Sequence, residues 1–501
     1  MLLGCATAKV GSDADAKSAP LSTGDVVSDA SQVKKGTTFP ACDPKATTQR
    51  VSFVHVNDLH ANYQLGTDGI SPVARIRGYL GQARQVNPFT VFTDGGDDYE
   101  KGSVADQLSQ GKSTTAIVHA LQFDVRVIGN HDYAWNEQTV LEDSRDPYAQ
   151  VLSSNIHYTG SDPKGFGAVD FVKLQVGCLT VGFAGFTSQP WDSTDSQIDA
   201  NFYPTFPANY DFLAQAKAMV AEHRKEVDVL VFLDHIGQDV DKNLAGAVPG
   251  IDAVLSAHSH TFTPVPEYNG KSAPVVQSGA YATHVVRLDL DVDLGTRQIT
   301  QVGFDAADLS AGSALPVDAD TQAFVAKTLK QYAPLADTPI GYVANAGGQD
   351  AAAALAARAC AQVLQVDAAL IDTSTAWAFF LAGGMTQQQM VKMFTVEREP
   401  SGTPGFNSAY TAWVMGSDLQ KLAALDSKWA YVGPKTIDPT QPYTLALQKR
   451  PALNPGHMPA GVKVQEPQAA LEMWQVLDMY ARQRTKACKY MDSDDALSPC
   501  P

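Results

Sequence analysis

The sequence predicts an α/β fold built in layers, with helices outside a β-sheet. Short β-rich runs that end in polar residues recur from residue 51 to about residue 305. Stretches with Ala-rich helical spacing, such as Phe212 to Lys225, separate them. Hydrophobic residues make up 44% of the 501 residues, which is ample for a packed core. Strands that alternate with helices favour this layered arrangement.

Six runs predict single strands, and two later runs predict a hairpin. The single strands are Val51–Val56, Thr90–Thr93, Val125–Ile128, Leu179–Phe183, Val227–Leu233 and Ile251–Leu255. Two alternating runs between Thr283 and Phe304 flank Leu294-Gly295-Thr296, which is typical of a hairpin that closes a domain. Ala319 to Tyr332 then predicts a connecting helix that ends before Pro334.

The remainder of the chain predicts a second domain of mixed structure. An Ala-rich helix is expected at Ala351–Gln365 and an apolar-periodic helix at Gln468–Arg482, with shorter strands between them. At roughly 150 residues per domain, the length allows three domains, or two with terminal extensions. We predict a tether at 1–48, a first domain at 49–315, a connecting helix at 316–336 and a second domain at 337–501.

The charge balance limits the classes of partner. Lys plus Arg number 37 and Asp plus Glu number 54, so the net charge is -17. Such a surface repels the phosphates of nucleic acid polymers and anionic lipid headgroups, and the sequence shows no basic patch. No run approaches the roughly 18 apolar residues of a membrane span. The sequence indicates an acidic globular protein, and its oligomeric state is not readable.

The N-terminus and the cysteines bear on cellular location. The start, Met1-Leu2-Leu3-Gly4-Cys5, resembles a bacterial lipobox in which Cys5 is lipidated, although the usual preceding regions are missing and a chance match is the alternative. Residues 6–48 predict a flexible tether. No Cys-x-x-Cys pair occurs, which disfavours a thiolate zinc site. Cys488 and Cys500 could close a loop in an oxidising compartment, and Cys178 is interpreted as a buried strand residue.

Five predicted strands end in residues of metal-ligand type. The segments are Asn57-Asp58-Leu59-His60, Gly95-Gly96-Asp97, Gly129-Asn130-His131-Asp132, Asp234-His235 and His258-Ser259-His260. The carboxyl ends of strands present loops that converge on one crevice. Five of the eleven histidines lie in these loops, and their joint occurrence predicts a metal site although any one alone would not.

Together these motifs resemble the calcineurin-like metallophosphoesterase superfamily, and within it the 5'-nucleotidase family that includes bifunctional nucleotidase and UDP-sugar hydrolases. The resemblance covers about residues 51–304 and implies a four-layer α/β/β/α sandwich followed by a smaller α+β domain. It also implies two divalent cations (Zn, Mn, Fe or Co) bound by two ligand sets that share Asp97. The first set is Asp58, His60, Asp97 and His260, and the second is Asp97, Asn130, His235 and His258.

The resemblance gives His131 a catalytic role beside the metals, in contact with the substrate together with Asn130. Nucleotidases of this kind usually place an Asp three residues after that His, but Ala134 stands here. Glu100 occupies the spacing of the second Asp in the Gly-Asp-x-x-Asp-Arg-Gly segment of protein Ser/Thr phosphatases. We therefore expect Glu100 to partner His131, with Asp132 as the second choice. Lys101 is a candidate phosphate contact; alternatively, Glu100 and Lys101 form a solvated loop pair.

The second domain departs from the family where substrate should bind. Leu370–Trp377 lacks the expected glycines and arginines, and Arg398 is a candidate replacement for a phosphate-binding Arg. Five aromatic residues are candidates for stacking on a base, although core packing is the competing interpretation for each: Trp377, Phe380, Phe394, Phe406 and Tyr443.

Three functional hypotheses follow. The first is a periplasmic or cell-surface hydrolase of nucleotides or other small phosphomonoesters, touching the membrane only through a lipid anchor. The second keeps the metals but acts as a cyclic-nucleotide or nucleotide-sugar phosphodiesterase, or as a related sulfur-ester hydrolase. The third is a non-catalytic, metal-containing surface binding protein.

Overall fold

A six-stranded sheet carries the first group of site loops. The fold is described from a computed structural model, for residues 23–27, 33–161, 165–189, 203–266, 272–376, 380–394 and 407–493. The strand order of this sheet is β13-β12-β3-β4-β5-β6, in which β3 to β6 are parallel and β12 and β13 are antiparallel to their neighbours. Its strands are β3 (Thr48–Val56), β4 (Thr90–Asp94), β5 (Val125–Val127), β6 (Gln150–Leu152), β12 (His284–Asp293) and β13 (Ile299–Asp308).

A five-stranded sheet carries the second group of site loops. Its order is β11-β10-β9-β8-β7, parallel except for β7. The strands are β7 (Phe171–Val176), β8 (Leu179–Ala184), β9 (Val229–Asp234), β10 (Ala253–Ser256) and β11 (Val275–Val276). Strands β4, β5 and β9 are buried along their whole length, as expected for parallel strands covered on both faces.

The two sheets pack face to face between layers of helices. Val, Leu and Phe side chains from both sheets share one core, represented by Phe53, Val91, Phe183 and Val231. Separate apolar cores lie between each sheet and its outer helices. The helices of this part are α1 (Pro72–Val86), α2 (Val104–Ser109), α3 (Lys112–Leu121), α4 (Glu137–Ser144), α5 (Phe212–His223) and α6 (Gln238–Ala247). The result is the four-layer α/β/β/α sandwich.

Helix α7 (Ala319–Tyr332) connects this sandwich to the C-terminal part. The side chain of Asp318 caps it by accepting a hydrogen bond from the Thr321 N–H at 2.8 Å. A second five-stranded sheet follows, with the order β18-β15-β19-β17-β20. Its strands are β15 (Ala368–Asp372), β17 (Ser408–Met415), β18 (Trp429–Val432), β19 (Pro442–Gln448) and β20 (Gln465–Glu472).

Two further strands and five helices complete the described C-terminal part. Strands β14 (Pro339–Val343) and β16 (Gly383–Thr386) form a separate antiparallel pair. The helices are α8 (Gln349–Val363), α9 (Gln387–Val391), α10 (Gly416–Ala423), α11 (Lys449–Leu453) and α12 (Met473–Lys486). Helices α8 and α12 pack on one face of the five-stranded sheet of the C-terminal part, through a shared apolar core.

The predicted strands, hairpin and connecting helix are found within a few residues of their expected positions, and one expectation was wrong. The helix expected at Gln468–Arg482 begins only at Met473, because the preceding residues pair with β17 as strand β20. In the segment predicted as a tether, β1 (Thr23–Val27) and β2 (Val33–Thr37) form an antiparallel pair. Among the described residues, no helix is both long and apolar enough to cross a membrane.

Candidate metal centre

The predicted ligand residues converge at the carboxyl ends of the parallel strands of both sheets. Strands β3, β4 and β5 deliver the loops after Val56, Asp94 and Val127, and β9 and β10 deliver those after Asp234 and Ser256. Two groups of possible ligands result, each with ligand atoms within 4.8 Å of one another: Asp58, His60, Asp97 and His260, and Asp97, His235 and His258. Since Asp97 belongs to both groups, a single carboxylate lies between them.

The first group brings nitrogen lone pairs and carboxylate oxygens together around one point. The Nδ1 atom of His60 lies 3.0 Å from the Tyr99 carbonyl, which fixes the proton on Nδ1 and leaves Nε2 as an acceptor. That Nε2 lies 3.1 Å from the Nε2 of His260 and 3.7 Å from Asp97 Oδ2. Asp58 Oδ1 is 3.2 Å from His260 and receives no hydrogen bond of good geometry. A cation would satisfy all of these electron pairs.

The second group repeats this arrangement on the other side of Asp97. His235 Nδ1 lies 2.7 Å from the Gly95 carbonyl, so Nε2 faces Asp97 Oδ2 at 3.2 Å and Asn130 Oδ1 at 3.0 Å. His258 Nδ1 lies 2.9 Å from the same Asn130 oxygen. An imidazole whose other nitrogen donates to a backbone carbonyl is the usual arrangement of a metal-ligating His.

Burial and the charge of Asp97 act in opposite directions on the pKa of the neighbouring histidines. Burial opposes charge on His235, but attraction to Asp97 outweighs burial and raises the pKa of His235 to about 9. Burial together with the charge of His131 holds the pKa of His60 well below its usual value. Asp97 favours the charged form of both histidines, but at His60 burial and the charge of His131 outweigh this attraction. Imidazole, carboxylate and amide ligands suit Zn, Mn, Fe or Co.

The ligand loops adopt an uncommon backbone conformation. Asp58, His60, Asp97, His258 and His260 all have φ between +46° and +74°, a region that costs non-glycine residues roughly 1 kcal/mol or more each. Close contacts between these loops add a further constraint. A Cβ on Gly129 would lie 2.3 Å from the Asp97 backbone nitrogen, so only glycine fits there. Strain concentrated in this way is typical of functional sites.

His131 lies beside the ligand groups and contacts Glu100. Its Nδ1 is 2.6 Å from Glu100 Oε2, and the Glu100 side chain is 1% exposed. The Nε2 atom of His131 lies 3.4 Å from Lys101 Nζ and 4.0 Å from Asp97 Oδ2. Burial, opposed by the charge of Asp97, lowers the pKa of His131 to about 4. The Glu100–Lys101 pair is therefore turned inward rather than forming a solvated loop pair.

Asp132 is placed differently from Glu100. Its carboxylate accepts hydrogen bonds from the backbone N–H groups of Asp97 (3.2 Å), Asp98 (2.7 Å) and Gly129 (2.7 Å). These contacts join the loop after β4 to the loop after β5. We therefore assign Asp132 to positioning of the two loops rather than to contact with His131.

Other predicted residues lie outside the centre or outside the described residues. Phe380 and Phe394 are buried in the core of the second domain, which favours the packing interpretation, and Tyr443 packs against the neighbouring core. Cys178 was wrongly assigned as a buried strand residue: it lies in the turn between β7 and β8 and forms a disulfide with Cys42. Cys488 is also disulfide-bonded. Outside the described residues lie Cys5, Trp377, Arg398, Phe406 and Cys500.

Sequence reasoning assigned no role to three residues that lie at the centre. Ser188 Oγ lies 3.1 Å from Asn130 Oδ1 and 3.3 Å from His258 Nδ1. Asn57 Nδ2 donates to Asp58 Oδ2 at 2.5 Å. The Tyr281 ring packs against the rings of His60 and His260. Ser188 follows strand β8 at the same edge of the sheet as the ligand loops. Its position after a strand could therefore have identified it from the sequence.

Comparison with known proteins agrees with this geometry. Residues 51–262 match the family of calcineurin-like phosphoesterases, and this part of the chain is therefore a calcineurin-like phosphoesterase domain. Its curated relatives include 5'-nucleotidases. The Bos taurus 5'-nucleotidase is 24% identical over 318 residues, which cover 57% of this chain and 53% of that protein. The Homo sapiens 5'-nucleotidase is 25% identical over 284 residues, covering 50% and 48%. The chain thus spans about half the length of these relatives.

Solved structures show the same fold over most of the chain. A 5'-nucleotidase precursor from Thermus thermophilus superimposes with a TM-score of 0.62 at 18% identity, covering 87% of this chain and 96% of that one. The sulfate thiohydrolase SoxB from the same organism gives a TM-score of 0.59 at 16% identity, with coverage of 89% and 95%. At these identities the likeness establishes the architecture, including the C-terminal domain, and confirms the expected fold class.

Proposed function

We propose that the chain is a metal-dependent hydrolase that binds two divalent cations and cleaves a small phosphomonoester, such as a nucleotide. The observation that carries the proposal is the convergence of two ligand groups on the shared carboxylate of Asp97. The lone pairs of His60 and His235 face other acceptors there, and such an arrangement is stable when cations lie between them.

The ligand groups define which residues would hold each cation. Asp58, His60 and His260 would bind one, His235, His258 and Asn130 would bind the other, and Asp97 would contact both. Bound cations supply positive charge that attracts a phosphate ester and acidifies an attacking water. Asn57 and Ser188 hold ligand oxygens in place through their contacts with Asp58 and Asn130.

Protein side chains would provide the remaining contacts with the substrate. Glu100 fixes the ring of His131 through Nδ1, so that the Nε2 edge stays beside Asp97. Lys101 Nζ lies at the same edge. We propose that His131 and Lys101 contact the phosphoryl or leaving-group oxygen, with Glu100 in the orienting role that family members give to the Asp missing at position 134.

A substrate panel tests this proposal. Purified protein with added Mn²⁺ or Zn²⁺ is assayed against nucleoside monophosphates, simple phosphomonoesters, UDP-sugars and 2',3'-cyclic nucleotides. We expect hydrolysis of the monoesters, which should be lost in the Asp97→Ala variant. Turnover confined to the cyclic nucleotides or UDP-sugars would replace the proposal with phosphodiester hydrolysis. Absence of turnover on the whole panel would favour a non-catalytic metal-binding protein.

We also propose that the protein acts outside the cytosol. The disulfide between Cys42 and Cys178 supports this location, because such bonds persist mainly in oxidising compartments. Attachment through Cys5 remains a prediction from the sequence. Fractionation of cells expressing the full chain, compared with a Cys5→Ser variant, tests both statements. Wild-type protein found in the cytosol with reduced cysteines would contradict the location.

A further inference from the structure

Tyr281 is an exposed aromatic residue at the rim of the metal centre. Its ring centroid lies 5.3 Å from that of His60 and 5.0 Å from that of His260, yet 42% of the residue remains exposed. His60 is fully buried, whereas the side chain of His260 is 29% exposed. The accessible surface around this ligand group therefore includes the phenol ring as well as the edge of His260.

The backbone holds Tyr281 in this position at an energetic cost. Tyr281 and Ala282 have φ values of +58° and +52°, in the left-handed region that disfavours residues with a side chain. The Tyr281 N–H donates to the Asp58 carbonyl at 2.7 Å, and Asn57 Nδ2 donates to the Gly279 carbonyl at 2.7 Å. Ala282 points into a buried core, so the turn directs Tyr281 outward beside the ligands.

The imidazole of His60 does not need the Tyr281 ring to fix its orientation. The His60 ring is already fixed by its contact with the Tyr99 carbonyl and by complete burial. A ring that served packing alone would gain most from being buried, since apolar stabilisation scales with the area removed from water. A strained turn that instead presents an aromatic face beside a reaction centre suggests a role toward a ligand.

We propose that Tyr281 is a specificity-determining residue whose ring packs against the organic part of the substrate and favours phosphomonoesters with a flat group, such as a nucleoside or aryl ring. This inference rests on the proposed phosphomonoesterase function. The phosphate occupies the metal centre, and the exposed ring forms a wall beside it. Aromatic pairs of this kind contribute enough to change affinity by up to about tenfold.

The test compares kcat/KM for a nucleoside monophosphate, p-nitrophenyl phosphate and glycerol phosphate in wild type and three variants. Tyr281→Ala should lower kcat/KM for the two flat substrates by up to about tenfold, mainly through KM, with little change for glycerol phosphate. Tyr281→Phe should retain the preference because it keeps the ring. Phe324→Ala, which removes a similarly exposed ring from the connecting helix α7, is the matched control. It should leave the ratios of kcat/KM between the three substrates unchanged.

The outcomes separate this inference from the proposed function. An equal loss for all three substrates, or a loss of bound metal in Tyr281→Ala, would assign the ring to support of the centre and overturn the inference. Unchanged ratios in Tyr281→Ala would also overturn it while leaving the phosphomonoesterase proposal intact. Failure of the wild type to hydrolyse any of the substrates would refute the proposed function, and this inference with it.

Discussion

Replacement of Glu100 by Gln tests whether Glu100 serves as the partner of His131 in place of the Asp that is absent at position 134. The carboxylate lies 2.6 Å from His131 Nδ1 and is 1% exposed, so this hydrogen bond is charge-assisted and shielded from water. Glutamine preserves the shape and one acceptor oxygen but removes the charge. A hydrogen bond to a charged group contributes about 1.5–3 kcal/mol, which corresponds to a decrease in kcat of about 10- to 100-fold.

The assay combines initial rates with metal analysis on the same preparations. Glu100→Gln should lower kcat on a phosphomonoester while leaving the metal content of the protein unchanged, because Glu100 belongs to neither ligand group. Glu142→Gln is the matched control, since Glu142 is exposed on α4. A near-native kcat in Glu100→Gln would refute the reasoning. A parallel loss of metal would show that Glu100 supports the ligands instead of His131.

Two further predictions concern the support of the centre, and a third concerns the disulfide between Cys42 and Cys178. Asp132→Ala should lower the free energy of unfolding by at least about 3 kcal/mol, because it leaves three buried N–H groups without an acceptor. Urea unfolding measures this change, and an unchanged midpoint of the urea transition would contradict it. Ser188→Ala should weaken Zn²⁺ binding by about tenfold in a chelator-competition titration, and unaltered affinity would rule out its supporting role. Paired replacement of Cys42 and Cys178 by Ser should lower the free energy of unfolding by about 2–4 kcal/mol relative to oxidised wild type. A double variant as stable as oxidised wild type would contradict the prediction.

The sequence was informative where function depends on strand ends. Each ligand segment follows an apolar run, and parallel strands bring their carboxyl ends to one edge, so positions as distant as Asp58 and His260 were expected to meet. The Glu100–His131 contact was expected from the resemblance of this segment to the Gly-Asp-x-x-Asp-Arg-Gly segment of protein Ser/Thr phosphatases, and it is present at 2.6 Å. These features are local patterns combined with one topological rule.

Features that depend on tertiary contact were not readable in the same way. Strand β20 carries a pattern compatible with a helix, and its pairing with β17 decides its structure. The Cys42–Cys178 bond joins residues 136 positions apart, so spacing could not reveal the pairing. Asp132 was a candidate catalytic residue because it follows His131 in the sequence. Its hydrogen bonds with backbone N–H groups instead favour a role in positioning the loops, and these contacts could not be read from the sequence.

The most direct test of the two-cation centre is metal stoichiometry, measured by mass spectrometry on purified wild type and on Asp97→Ala with its fold verified by circular dichroism. Since Asp97 is the residue shared by both ligand groups, we expect about two divalent ions per wild-type chain and a marked loss from both sites in the variant. A wild-type protein that binds no transition metal when supplied with it, or a variant that keeps both ions, would contradict the proposed centre.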